Sequence, residues 1–189
     1  MTLPANHPRL TRRPFTQGEL IADGLLHALA LLASIIGLAV LIVLVLLKRG
    51  GLELSAVVIY GIGLLAMFGF SAAYNLVPTS PLKWVLRRFD HSSIYLMIAG
   101  TYTPLLVLLG DPFWAITLGA IVWAGAIAGI VLKVALPGQF DRLSIAIYIL
   151  LGCSAMIALR PMIEKLPEPT LYLLLAGGLI YVVGVVFYV

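Results

Sequence analysis

An all-α, polytopic bundle of transmembrane helices is what this sequence dictates, on three counts. The chain is 62% hydrophobic and only 11% charged, whereas soluble domains carry about a quarter charged residues. Apolar blocks of roughly 18 or more residues recur along its whole length, the length a helix needs to cross a bilayer core. Short links bearing Gly, Pro, Lys and Arg separate those blocks. A mean hydropathy of +1.11 excludes a soluble fold. The net charge of +4 is spread over short links rather than gathered in one patch. Nucleic acid is therefore no expected partner, and membrane lipids are. The single cysteine, Cys153, lies inside an apolar block. It excludes an intrachain disulfide and reads as a small buried residue.

Residues 1–18 are polar and Pro-rich, with Arg9, Arg12 and Arg13. The apolar block that follows is too long for the core of a secretory signal peptide. The expectation is an N-terminal segment over 1–18 and a membrane domain over 19–189. A first span over 20–47 carries Asp23 and His27 on one face and closes at Lys48, Arg49 and Gly50-Gly51. A second, 52–77, is spaced by Gly61, Gly63 and Gly69, which suits close helix packing. It ends with Ser71 and Asn75 on one face, and Pro78 and Pro81 break it. Residues 83–88 read as a basic link with Trp84 as an interfacial anchor. A third span, 89–109, opens on Asp90 and His91 and contains Pro104, which predicts a kink. The hydroxyls of Thr101, Tyr102 and Thr103 are placed to satisfy the carbonyls it frees. A fourth span, 113–134, contains Gly119, Gly125 and Gly129, read as intrachain packing positions. The loop Leu136-Pro137-Gly138 leads through Asp141 and Arg142 into a fifth span, 140–159. A polar link, 160–169, precedes a sixth, 170–189.

Alternate links carry unequal numbers of Lys and Arg. The N-terminal segment with Lys83, Arg87, Arg88, Lys133 and Arg142 holds eight, against four for Lys48, Arg49, Arg160 and Lys165. The positive-inside rule then puts the N-terminus in the cytoplasm. Asp23, His27, Ser71, Asn75, Asp90, His91 and Asp141 all fall at the cytoplasmic ends of their spans. Such a gathering suggests one shared polar pocket, because ionisable residues in membrane helices mark sites.

Each member also has a structural reading. Asp90 can cap the helix it opens, binding free N–H groups at the positive dipole end, as readily as it can serve a metal or polar pocket. His91 lies about 100° round the helix from Asp90, so the two do not face one ion. Asp23 and His27 read as a self-satisfying i,i+4 pair. Ser71 can bond its own i−4 carbonyl or polarise a substrate carbonyl. A cavity shared by Asp23, His27 and either Asp90 or His91 is the weaker alternative for an oxygen-rich metal site.

Several stretches together resemble the bacterial hemolysin III family, part of the wider progestin and adipoQ receptor superfamily. They are Glu19, Asp23 and His27, the Ser71-xxx-Asn75 motif, RRFDHSSIYLMIAGTYTP at 87–104, Trp123, and AGGLIYVVGVVFY at 176–188. The resemblance covers the chain from about Gly18 onward. It implies a seven-helix bundle with a cytoplasmic N-terminus and a zinc ion in its cytoplasmic half. The ligands there are a histidine ending SxxxH in the second span, an HxxxH pair in the seventh, and the aspartate of the DH pair. Wider relatives are held to be zinc-dependent lipid amidases, and bacterial members are named for cytolytic, pore-forming activity or linked to membrane homeostasis.

This sequence departs from that pattern. Asn75 stands at the histidine position of SxxxH, and six spans are read where the family has seven, without the HxxxH pair. The expectation is a degenerate or truncated member. Only Ser71 and Asp90 carry over, with no zinc held by this chain alone, since zinc wants at least three protein ligands and Asn is a poor one. A pore-forming or membrane-homeostasis protein of the bacterial inner membrane is the leading reading, with homo-oligomers as the route to a pore. A zinc-dependent lipid amide hydrolase and a non-catalytic receptor-like bundle are the alternatives.

Overall fold

The first helix, α1 (Gln17–Lys48), starts at a reciprocal cap. The Thr16 amide donates to Glu19 Oε2 at 2.8 Å, and the Glu19 amide donates to Thr16 Oγ1 at 3.3 Å. This capping box satisfies two of the N–H groups a helix start leaves free. In the computed structural model the described residues are 16–48, 50–136 and 141–188. His7, Arg9, Arg12, Arg13, Arg49 and the loop from Pro137 lie outside them, as do the side chains of Asp141 and Arg142. Among the described residues the elements are all helical. They continue as α2 (Gly51–Leu76), α3 (Pro81–Leu109), α4 (Pro112–Ala135) and α5 (Asp141–Cys153), then a 3₁₀ segment (Ser154–Ala158), α6 (Leu159–Lys165) and α7 (Glu168–Tyr188).

Among the described residues, five segments are long and apolar enough to cross a membrane: α1, α2, α3, α4 and the stretch Leu143–Lys165. The expected fifth span thus runs on through α6 but is interrupted. The 3₁₀ turn breaks its α-helical ladder, and the Tyr102 hydroxyl from α3 repairs the break. It receives the Ala155 amide at 2.9 Å, and it lies 3.1 Å from the Ser154 oxygen and 3.0 Å from the Leu151 carbonyl. Pro161 is tolerated because it falls in the first turn of α6, where its missing N–H would have no helical partner. The link expected over 160–169 is therefore helical to Lys165.

The basic link expected at 83–88 is also helix. Ser80 caps α3, its Oγ accepting the Lys83 amide at 3.3 Å, and Pro81 sits at the first helical position. That is the position where proline starts a helix rather than breaking one. Trp84 is buried at 3% exposure instead of anchoring at an interface, with the Arg87 guanidinium 5.4 Å from its ring. Cys153 is exposed rather than buried. Thr101 and Thr103 donate to carbonyls one turn back, Thr101 to Met97 at 2.8 Å and Thr103 to Ala99 at 2.9 Å. Neither serves Gly100, the carbonyl Pro104 leaves free, and α3 continues through Pro104 to Leu109.

Helices α1 to α4 run antiparallel in sequence order, and small residues set their register. Gly61 lies under Leu38 of α1. Gly63 meets the backbone of Leu96 and Met97, and Gly100 meets that of Ile59 and Tyr60, so α2 and α3 touch main chain to main chain. Gly129 lies against the Tyr95 ring and Gly125 against Leu151. The Gly125-xxx-Gly129 pair is thus used inside the chain, as expected, whereas Gly69 borders open space. The core is the seam of α3 with α4 and the α5–α6 stretch, around Tyr95, Ala99, Tyr102, Leu118, Val122 and Tyr148. Outward faces are apolar and exposed, as in Leu25, Leu29, Ile36, Ile116 and Val131. Lipid, not water, suits such a surface.

Candidate functional site

Ser71 is where three helices meet. It lies in the last two turns of α2, opposite the second and third turns of α1, because the antiparallel hairpin brings those levels together. His27 Nε2 lies 3.2 Å from Ser71 Oγ. The other ring nitrogen, Nδ1, lies 2.8 Å from the Asp23 carbonyl and 3.4 Å from the Asp23 carboxylate. A carbonyl oxygen only accepts, so Nδ1 carries the proton in the neutral ring. Nε2 then presents its lone pair to the Ser71 hydroxyl.

One turn along α2, Asn75 Nδ2 lies 3.5 Å from the same Ser71 oxygen. From α3, the Asp90 side chain reaches Ser71 and feels the charges of His27 and Arg87. Asp90 and His27 are mostly enclosed, with 19% and 14% of their side chains exposed. Lys83 closes the end of α2. Its Nζ donates to the Val77 carbonyl at 2.8 Å and the Asn75 carbonyl at 3.3 Å, and sits 5.0 Å from the Tyr74 ring. It is also near enough to Asp23 for their charges to interact.

The expected gathering of polar residues is therefore a physical cluster for Asp23, His27, Ser71, Asn75 and Asp90. The Asp23–His27 pair exists, but its shortest contact is to the Asp23 main chain rather than its carboxylate. His91 points aside as its helical offset requires. Its Nε2 is 4.0 Å from the Asp90 carboxylate, and its carbonyl accepts the Tyr148 hydroxyl at 3.1 Å. Lys83 is the member that residue reading missed, because a helical 83–88 was needed to turn it back over α2.

A zinc ion does not suit these residues. Among the described residues, no three His, Cys, Asp or Glu side chains converge on one point. Both nitrogens of His27 face partners within the cluster, and Asn75 presents its amide nitrogen to Ser71. That leaves Asp90 as the one good donor at the expected centre, short of what a tetrahedral site requires.

A second polar group sits in the α3–α4–α5 seam. The Tyr95 hydroxyl is fully buried without a hydrogen bond of good geometry, and its nearest polar neighbours are Ser144 and Tyr148. The two tyrosine rings pack at 4.4 Å.

Comparison with known proteins agrees with this architecture. A family profile described as haemolysin-III related matches residues 19–189. The chain is similar to Hemolysin-3 of Bacillus cereus, 35% identical over 182 residues, covering 95% of this chain and 82% of that protein. It is similar to the Hemolysin-3 homolog of Bacillus subtilis (strain 168), 34% identical over 175 residues, 93% of this chain and 82% of the relative. No solved structure matches. A match over nearly the whole length, joined to a bundle whose polar residues meet at one end of its first three helices, identifies the chain as a multi-pass membrane protein that belongs to the haemolysin III family.

Proposed function

We propose that the protein makes membranes permeable, acting from the bacterial inner membrane with its N-terminus in the cytoplasm, and that it does so as an assembly of several copies. The name of its Bacillus relatives supports the first part, and the Lys and Arg count supports the orientation. The need for several copies rests on one observation: several interior hydroxyls that could line a water path are spent on backbone. Ser34 donates to the Ala30 carbonyl at 2.7 Å, Thr103 to Ala99 at 2.9 Å and Ser154 to Leu151 at 2.7 Å. The ionisable cluster, by contrast, stays at one end. Among the described residues, one bundle offers no polar stripe from face to face, so a water path has to form between bundles.

The test is release of an encapsulated dye from liposomes of bacterial lipids as the protein-to-lipid ratio rises. An assembly gives release that climbs more steeply than in proportion to protein. Proportional release from single copies refutes the assembly, and no release at any ratio refutes permeabilisation and favours a receptor-like bundle.

A further inference from the structure

We propose that Ser71 is a nucleophile, activated by His27, that takes an acyl group from a carboxylic ester of a membrane lipid. This goes beyond permeabilisation and depends on none of it. The argument starts from the ring of His27. The Asp23 carbonyl at 2.8 Å fixes the proton on Nδ1, so the Nε2 lone pair faces Ser71 Oγ at 3.2 Å. A serine hydroxyl within hydrogen-bond reach of a base that a third group orients is the arrangement nucleophilic catalysis needs. The Asp23 carboxylate, 3.4 Å from Nδ1, stands where it favours the imidazolium that forms when His27 takes the proton, and Asp90, whose side chain reaches Ser71 as well as the field of His27, is a second acceptor beside the hydroxyl. Asn75 Nδ2, 3.5 Å from the serine oxygen, is a neutral N–H donor beside the point where an oxyanion on an attacked carbonyl would develop. An imidazole there would be a potential metal ligand, whereas an amide only donates and accepts hydrogen bonds.

The surroundings select the substrate. Gly24 on α1 and Leu76 on α2 touch across the helix pair just beyond the cluster. Exposed Leu20, Ile21 and Leu25 flank it on α1. His27 stands ten residues into α1, about 15 Å along its axis. That puts it past the first turns of a helix long enough to span a membrane, beside apolar side chains that suit a lipid substrate.

The chemistry balances without a co-reactant other than water. Ser71 Oγ bonds to the ester carbon as its proton passes to His27 Nε2, and the carbonyl oxygen takes the negative charge beside Asn75. The C–O bond to the lipid alcohol breaks, and that alcohol leaves with the proton from His27. Water, deprotonated by His27, then attacks the acyl-Ser71 carbon. Fatty acid departs and Ser71 regains its proton.

The experiment treats the full chain, in lipid nanodiscs, with a fluorophosphonate probe and maps the adduct by mass spectrometry. The serine oxygen displaces fluoride from phosphorus, so only an activated serine reacts at a useful rate. The expected result is an adduct on Ser71 in the unmodified protein, absent in Ser71→Ala and formed at least about 100-fold more slowly in His27→Gln. Asp90→Asn still forms the adduct, because His27 and not Asp90 takes the proton from Ser71. Each variant is compared at equal helicity and unfolding midpoint. An unmodified Ser71 under conditions that label a reference serine hydrolase overturns the proposal. So does labelling that survives His27→Gln, or that fails in Asp90→Asn. Dye release that persists in Ser71→Ala leaves permeabilisation standing by itself, and loss of labelling says nothing against it.

Discussion

Adding one methyl group at each of four glycines should separate helix contacts that have to be tight from those that do not. At Gly129, a Cβ would run into the ring of Tyr95, which is 0% exposed. That ring cannot turn aside freely. It packs on Tyr148 at 4.4 Å, and the Tyr148 hydroxyl is held by the His91 carbonyl at 3.1 Å. Overpacking a core costs typically about 1–3 kcal/mol, and Gly129→Ala belongs at the top of that range. At Gly63 the obstacles are the Leu96 carbonyl oxygen at 3.1 Å and the Met97 Cα at 3.2 Å. Main chain cannot rotate away, but α2 and α3 can part by a few tenths of an ångström, so the middle of the range applies, about 2 kcal/mol. At Gly61 the obstacle is the tip of Leu38 at 2.5 Å, on a helix whose described residues are mostly exposed, so another rotamer is open. A loss near about 1 kcal/mol follows. At Gly69 nothing lies within 4 Å, and alanine's helix propensity gives a gain of up to about 1 kcal/mol. Reversible unfolding in mixed detergent micelles, followed by circular dichroism, reads the order 129, 63, 61, 69. A Gly69→Ala protein as unstable as Gly129→Ala, or a neutral Gly129→Ala, would refute the packing argument.

Three further outcomes follow from single contacts. Tyr102→Phe removes the acceptor of the half-buried Ala155 amide; the cost is about 1–3 kcal/mol, seen as faster amide exchange at 154–158 and a lower unfolding midpoint. Lys83→Met uncaps the Val77 and Asn75 carbonyls and should quicken exchange over the last turn of α2 while leaving α4 unchanged. Asp111, between α3 and α4, accepts Lys165 Nζ at 2.8 Å and also caps α4. Those bonds, that of Lys165 foremost, hold its carboxyl below the ordinary carboxylate range. A depressed acid contributes its stability above the unfolded value, near pH 4, and loses it as pH falls through the lower folded value. Exchange at the Phe113 and Trp114 amides should therefore rise only below about pH 4, and Asp111→Asn should abolish that dependence.

Much of this site could be read from residues because membrane hairpins leave few registers. His27 and Ser71 stand almost equally far from the Gly50 turn along the two arms of α1 and α2, so an antiparallel pair sets them level. Reading each as a separate end-of-helix group found the cluster but not that contact. At 83–88 the sequence is ambiguous because Pro81 has the look of a breaker, whereas Ser80 before it makes the pair a cap and a first helical residue. The interruption in the fifth span had no local signature. Its cause is a partner fifty residues earlier, the Tyr102 hydroxyl, and tertiary repair of a helix break cannot be seen in the segment that breaks. Cys153 failed for a similar reason: an apolar neighbourhood in sequence does not say which residues face lipid and which face protein.

The same logic explains why the polar cluster can exist at this depth at all. An uncompensated carboxylate or imidazole in a membrane helix is expensive, yet α1, α2 and α3 each contribute ionisable or amide side chains to one point. Close main-chain approach of α2 and α3 at Gly63 and Gly100 makes this possible, because it brings the Asp90 level of α3 against Ser71. Phe70 and Phe89, the residues just before Ser71 and Asp90, stack at 5.1 Å and lock that register. Loss of the stack should therefore disturb the site before it disturbs the fold. Phe89→Ala is expected to weaken probe capture at Ser71 more than it lowers the unfolding midpoint relative to Gly129→Ala. If it destabilises the bundle as much as Gly129→Ala while Ser71 in the folded fraction reacts at the unmodified rate, the stack holds the fold and not the register of the site.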